Sequence, residues 1–218
     1  PAYNQKVWMW WMGKGSARET REWVYNAPRM KPGDYRWLRF YQEFYEHDYK
    51  AALARLDSIR RSNKEDSRWF ETAYVYKALG EHPKALAAFD SARHRLEGLL
   101  PERDSDYGIH LSLAEAYAGL GWKNKAYQQI ALAQQDRKLT RDSLYVNSFR
   151  RQKAQIHLLL GEYDHALNIL ASQLQKRTNF SIQWVLLNPN WKPIWDHPRF
   201  LELVREYNIG NTFAFRNP

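Results

Sequence analysis

Cysteine is absent from this 218-residue chain. Without thiols, the protein has neither a disulfide framework nor a zinc site built on cysteine ligands. The absence fits a cytoplasm or a bacterial periplasm and does not choose between them. We favour the cytoplasm, with the periplasm as the alternative if a membrane anchor lies upstream of Pro1.

Long apolar segments are also missing. The cluster VWMWWM at 7–12 is too short to cross a bilayer, which takes about 20 apolar residues. It also lacks the apolar-core length and the small-residue cleavage site of a signal peptide. The sequence therefore predicts no membrane insertion of this chain.

Recognisable catalytic motifs are absent as well. There is no HExxH, GxSxG or paired-carboxylate pattern, and GKGS at 13–16 lacks the Ser or Thr that a phosphate-binding loop needs after its Lys. Asp104, Asp106 and Glu115 match three positions of a calcium loop, but Ile109 replaces the required glycine. These absences predict a protein that is not an enzyme and uses no cofactor or metal ion.

The seven histidines are dispersed along the chain. His47, His82 and His165 fall at or beside expected helix breaks, where we expect exposure to solvent. His110 and His157 occupy interior positions of expected helices. We interpret these two as packing residues rather than as ligands.

Positive charge exceeds negative charge, with 33 Lys and Arg against 24 Asp and Glu and a net charge of +9 at pH 7. Such an excess can recruit nucleic acid, anionic membrane or acidic protein segments. Here the cations are scattered, and no run of five occurs. We interpret most of them as solvated helix faces and keep a specific anionic partner as the alternative.

One short pattern occurs four times. Each copy joins a Gly- or His-containing break to an alanine a few residues later. The copies are EHDYKAAL (46–53), GEHPKAL (80–86), GWKNKAY (121–127) and GEYDHAL (161–167). The anchor alanines Ala52, Ala85, Ala126 and Ala166 are 33, 41 and 40 residues apart. Spacings of this length predict an array of helical hairpins.

The second copy has the clearest helical pattern. Apolar residues recur at helical spacing on both sides of its break: Trp69, Ala73 and Tyr76, then Ala85, Phe89 and Ala92. Gly80 is suited to end the first helix, and Pro83 to begin the second. The sequence therefore predicts two antiparallel helices that approach closely at their alanines.

The pattern W-x3-A-x2-Y-x8-A-x3-F-x2-A formed by these six residues resembles the tetratricopeptide repeat. The other copies resemble it with substitutions: His47 replaces the break glycine of the first, and His157 replaces an aromatic residue of the fourth. The resemblance implies an all-α fold, a right-handed solenoid of helical hairpins. The extra residues of the longer spacings fall at 98–108 and 135–147, and Gly98 and Pro101 predict a loop in the former.

The segment PNWKPIWDHPRF at 189–200 resembles the closing segment of repeat arrays in bacterial multidomain regulators. Those arrays follow adenylate-cyclase, protein-kinase, TolB-like or winged-helix DNA-binding domains. The resemblance implies that the chain is the adaptor or sensory part of a larger regulator. We divide it into a degenerate N-terminal repeat or half-repeat (1–32), about four helical hairpins (33–180) and a C-terminal capping segment (181–218).

The repeat resemblance also implies a binding surface, because in such repeats the first helix of each hairpin lines the concave face. By position, the candidate partner-binding residues are Trp37, Tyr41, Phe44, Phe70, Tyr74, Lys77, Leu111, Glu115, Arg151, Gln155 and Leu158. Aromatic residues in the first half and Arg151 in the second suit a segment with an apolar anchor and an acidic end. The aromatic residues could equally pack against neighbouring helices.

We expect a non-enzymatic scaffold that binds a protein or peptide. Single-stranded nucleic-acid binding is one alternative, which the charge and the aromatic content favour but the protein-binding type of repeat disfavours. A second is a regulatory domain of an enzyme whose catalytic part is absent. Trp8, Trp10 and Trp11 at the N-terminal edge could also pack against a second copy of the chain or against a preceding repeat.

Overall fold

The structure, a computed structural model, describes residues 2–26, 32–62, 68–103, 106–136, 143–176 and 181–207. These residues form helices joined by short turns, and no β-strand occurs among them. The predicted all-α class is therefore confirmed. Within the same residues, no helix combines the length and the apolar character needed to cross a bilayer.

Twelve α-helices can be given bounds in the described part of the chain. They are α1 Ala2–Lys14, α2 Arg21–Asn26, α3 Pro32–Tyr45, α4 Tyr49–Ser62, α5 Trp69–Ala78, α6 His82–Arg103, α7 Tyr107–Gly119, α8 Lys123–Ala133, α9 Ser143–Leu159, α10 Tyr163–Gln175, α11 Ile182–Leu187 and α12 Pro198–Tyr207. Two 3-10 helices, Arg18–Thr20 and Pro189–Ile194, lie between them.

Consecutive helices pack as pairs. Helices α3 and α4, α5 and α6, α7 and α8, and α9 and α10 pack on each other, and α6 also packs on α7 of the next pair. The second helix of each pair carries one anchor alanine, and all four are buried: Ala52, Ala85, Ala126 and Ala166. A methyl group in these positions leaves room for the backbones of neighbouring helices to approach.

The turns inside these pairs have the same backbone conformation. Each has one residue in the left-handed region, namely His47, Gly80, Gly121 and Gly161, with φ angles of 62°, 75°, 77° and 72°. The next residue donates its N–H to the carbonyl five positions earlier: Asp48 to Glu43, Glu81 to Tyr76, Trp122 to Tyr117 and Glu162 to His157. This hydrogen bond defines the Schellman motif that ends many helices. His47 adopts the conformation without being glycine, and its ring stacks on Tyr49.

The predicted loop at 98–108 is wrong at 98–103, which continue α6, and at 107–108, which begin α7. Helix α6 continues to Arg103 and includes Pro101. Leu96, Leu99 and Leu100 pack against the apolar cluster of α7, and this burial outweighs the hydrogen bond that proline cannot make. Residues 137–142 of the second linker, at 135–147, lie outside the described residues, and 143–147 already belong to α9.

The C-terminal segment returns to the N-terminal helix. Helix α11 packs on α1, where the Ser181 hydroxyl donates a hydrogen bond to the Met12 carbonyl. Gly15 permits this approach, because a Cβ there would lie 2.7 Å from the Gln183 carbonyl oxygen. Trp184 Nε1 also donates to the Tyr45 hydroxyl of α3, at 3.2 Å. Helix α1 and the beginning of the C-terminal segment are therefore in contact.

The helix pairs also pack closely on one another at Gly119, near the end of α7. A Cβ at this position would lie 2.4 to 2.5 Å from ring atoms of Phe89 on α6. The Gly119 backbone therefore lies directly against an aromatic ring that is itself 2% exposed. Gly98, within α6, has no atom within 4 Å of the equivalent position.

We predict opposite effects from adding the same methyl group at these two glycines. Gly119→Ala should lower the free energy of unfolding by about 1 to 3 kcal/mol, because the Phe89 ring must move within a packed core. Gly98→Ala should raise it by about 0.5 to 1 kcal/mol, because alanine is the better helix former. Urea denaturation of both variants measures the difference, and equal effects would contradict the close packing.

Candidate functional site

The predicted partner-binding residues differ widely in exposure. Phe44, Tyr74, Leu111, Glu115 and Leu158 are buried, Trp37, Tyr41, Phe70, Lys77 and Gln155 are partly buried, and Arg151 is exposed. The buried members have little surface left for a partner. The binding role of the set stays a prediction. The surface that a partner could reach belongs to the partly buried residues and to Arg151.

The chain itself covers part of the predicted surface. Leu187 of α11 belongs to the apolar cluster that contains Phe44 and Tyr74, and Leu158 shares a cluster with the fully buried Trp191. The Pro189–Ile194 helix contacts both α5 and α9. Residues 181–194 therefore pack along the first helices of several pairs, where a peptide was predicted to bind.

The Trp-rich N-terminal edge is likewise engaged within the chain. Trp11 is fully buried and meets Tyr45 edge to face, with ring centroids 5.2 Å apart. Trp8 packs on Tyr41 and Trp10 on Trp23, each at about the same spacing. Pairing of two chains through this edge stays a prediction that these internal contacts do not favour.

A buried polar network joins three of the pairs. Tyr74 on α5 donates a hydrogen bond to Glu115 Oε1 on α7, and Gln152 Nε2 on α9 donates to Glu115 Oε2 at 2.7 Å. Gln155, one turn after Gln152, forms a further hydrogen bond with Tyr74. Three of the predicted site residues, Tyr74, Glu115 and Gln155, are thus brought together. Gln152 was missed, because its place in the network follows from the packing of α9 on α7.

Burial raises the pKa of two side chains in this network, Glu115 and Tyr74. It raises the pKa of Glu115 to about 7, although the hydrogen bonds from Tyr74 and Gln152 act in the opposite direction. Burial, together with the charge of Glu115, raises the pKa of Tyr74 well above its usual value. Near neutral pH the carboxyl group therefore changes charge while the phenol keeps its proton.

Two cations lie beside this network. Arg151 precedes Gln155 by one helical turn, and Lys77 follows Tyr74 by nearly one, so each shares a helix face with a member of the network. Burial raises the pKa of both Tyr41 and Tyr45, and the nearby charge of Arg151 opposes that rise. Burial lowers the pKa of Lys77. Among the residues with described positions, no carboxylate forms a salt bridge with either cation.

A second polar cluster surrounds the turn between α9 and α10. Glu162 accepts hydrogen bonds from Lys123 at 2.6 Å, Tyr127 at 2.6 Å and His157 at 2.8 Å. Burial alone would raise the pKa of Glu162, but these partners lower it to about 2. His157 is buried, and its ring stacks on His165 with centroids 5.1 Å apart. His157, Glu162 and His165 each offer a donor atom, and the three atoms lie within 4.8 Å of one another.

We predict that Glu115 makes stability depend on pH. The folded chain binds this proton up to about pH 7, whereas an unfolded chain releases it near pH 4.5. Stability should therefore fall as pH rises between these values. From pH 5 to pH 8, the wild type should lose about 2 to 3 kcal/mol more than Glu115→Gln. Urea denaturation at both pH values measures this, with exposed Glu202→Gln as the matched control; parallel behaviour of wild type and Glu115→Gln would contradict the shift.

Comparison with known proteins adds no assignment to these two clusters. No protein-family model matches the chain, and neither a curated protein nor a solved structure matches it. The geometry of the clusters and the charges around them are therefore the basis on which a function can be inferred.

Proposed function

We propose that this chain is a non-enzymatic binding module for a protein segment that carries an acidic group. The helix pairs would stack in a right-handed, tetratricopeptide-like superhelix, and the segment would bind beside the Tyr74–Glu115–Gln152 network. The observation that carries the proposal is the position of Arg151 and Lys77, two cations that flank the network without a carboxylate partner among the described residues.

The electrostatics favour an anionic ligand. Removing Lys77 from water disfavours its charged form, and an approaching carboxylate would offset that cost. Arg151 is exposed, and a guanidinium can hold a carboxylate through two parallel hydrogen bonds. The net charge of +9 would also speed the encounter with an acidic segment.

Partly exposed aromatic residues could supply the apolar contacts. Phe70, one turn before Tyr74, packs edge to face on Phe89 and keeps part of its surface exposed. Trp37 is also partly buried, with the Arg68 guanidinium 3.5 Å from its ring centroid. Aromatic anchors flanked by cations are common at the centre of binding surfaces. Residues 181–194 would border this site, because the Pro189–Ile194 helix packs on α5 and α9, which also carry Lys77 and Arg151.

Charge reversal tests the proposal. Peptides selected from a displayed library with acidic termini should bind the full chain, and Arg151→Glu and Lys77→Glu should each weaken their binding by about tenfold or more. Arg205→Glu on α12 is the matched control, since it is exposed and changes the net charge equally. Fluorescence anisotropy measures the dissociation constants. Equal losses in all three variants, or a library without binders, would contradict the proposal.

Single-stranded nucleic acid is the alternative ligand that the net charge favours. Electrostatic binding of this kind is strongest at low salt and weakens steeply as salt is added. Titration of the chain with a labelled oligonucleotide at low salt therefore separates the alternatives. If the chain binds the oligonucleotide tightly and the library yields no binding peptide, nucleic acid is the favoured ligand. If the chain belongs to a larger bacterial regulator, the peptide site would act as its adaptor or sensory part.

A further inference from the structure

The turn between α9 and α10 differs from the turns of the second and third pairs at two positions at once. The carbonyl that closes the Schellman motif belongs to Tyr76 and Tyr117 in the second and third pairs but to His157 in the fourth. Eight residues after these tyrosines, the second helix carries Lys84 and Lys125, whereas the fourth pair has His165. The substitutions fall on side chains that touch each other.

The contact between these two positions is kept while its chemistry changes. Lys84 lies over the Tyr76 ring at 5.6 Å, and Lys125 over the Tyr117 ring at 5.4 Å. In the fourth pair the His165 ring stacks on the His157 ring at 5.1 Å, with 20° between the planes. A cation–π contact is thus replaced by two imidazole rings. Each neutral imidazole offers a nitrogen lone pair that can bind a metal ion, whereas the lysine ammonium at neutral pH offers none and tyrosine has no side-chain nitrogen.

We propose that His157, Glu162 and His165 form a binding site for a zinc-like divalent transition-metal ion. Two imidazole nitrogens and a carboxylate oxygen are a common ligand set for such ions, with water as the fourth ligand. The donor atoms lie within 4.8 Å of one another, and His157 Nδ1 is already 2.8 Å from Glu162 Oε2. Tetrahedral zinc needs about 3.3 Å between ligand atoms. Ion binding would release the proton that His157 Nδ1 shares with Glu162 and separate these two atoms by about 0.5 Å, and a small movement of the exposed His165 ring would complete the geometry.

Residues from the preceding pair would tune the site. The Tyr127 hydroxyl donates to Glu162 Oε2 and fixes the orientation of the carboxylate, as groups that contact metal ligands commonly do. Lys123 pairs with Glu162 Oε1, and its charge would oppose a cation at the same carboxylate. The Lys123 side chain is 59% exposed, so it can turn into water when an ion binds.

Metal titration of single variants tests the proposal. Isothermal titration of the chelator-treated full chain with ZnCl2 should show one site, and His165→Ala should weaken it by about tenfold or more. His94→Ala is the matched control, because His94 is an exposed helix histidine beside Asp90 and should leave the affinity unchanged. Lys123→Gln should strengthen binding, since it removes the opposing charge. Circular dichroism checks that each variant is folded.

The directions of these effects decide the outcome. Weaker binding by His165→Ala, unchanged binding by His94→Ala and tighter binding by Lys123→Gln would support the site. Visible absorption of the Co2+-loaded chain should in addition report tetrahedral coordination, and the absorption should be lost in His165→Ala. Absence of zinc binding to the folded wild type, or equal weakening in the two histidine variants, would overturn the proposal. The site does not depend on the peptide-binding function proposed above.

Discussion

The left-handed residue that ends the first helix of each pair is the constraint on which the rest of the structure depends. It directs the backbone back along the helix it has just left, and the Schellman hydrogen bond satisfies a carbonyl that the helix leaves open. The reversal places the anchor alanine of the second helix against the first, and a small side chain there lets the two backbones approach. Gly80, Gly121 and Gly161 take this conformation without steric cost, whereas His47 takes it against its own preference.

Local features of this kind are why the sequence predicted the helices and their turns well. The turn at Gly80 can be predicted from the backbone preferences of the residues that form it. The burial of Ala85 can be predicted from its place in a repeated pattern. The end of α6 was predicted wrongly for the same reason. Pro101 signals a break locally, but the leucines before it gain more by packing on α7 than the helix loses at the proline. The likeness to the tetratricopeptide repeat stays a prediction.

Contacts between residues distant in sequence could not be predicted in this way. Trp184 donates a hydrogen bond to Tyr45, which lies 139 residues earlier in the sequence. The residues around each of them give no sign of this contact. The sequence identified residues 181–194 as part of a closing segment, but a regular stack of hairpins gives no reason for that segment to return to α1. Because it does return, Phe44 and Leu158 of the predicted binding face become interior. The aromatic residues that stay partly exposed and the cations at the border of the face become the more informative residues.

The network around Glu115 follows from the same packing. A buried carboxyl group is costly unless its hydrogen bonds are satisfied, and here the donors come from the first helices of the pairs on either side. Sliding α5 or α9 along α7 by one turn would remove one of the two donors to Glu115, so the network favours a single alignment of the three pairs. The apolar contacts alone specify that alignment less strictly, because leucine and alanine side chains can repack at small cost. Glu115, which the sequence analysis selected as a surface contact, thus has a structural role in aligning the pairs. Arg151 and Lys77 carry charge without serving that alignment, and they are therefore the better indicators of a partner.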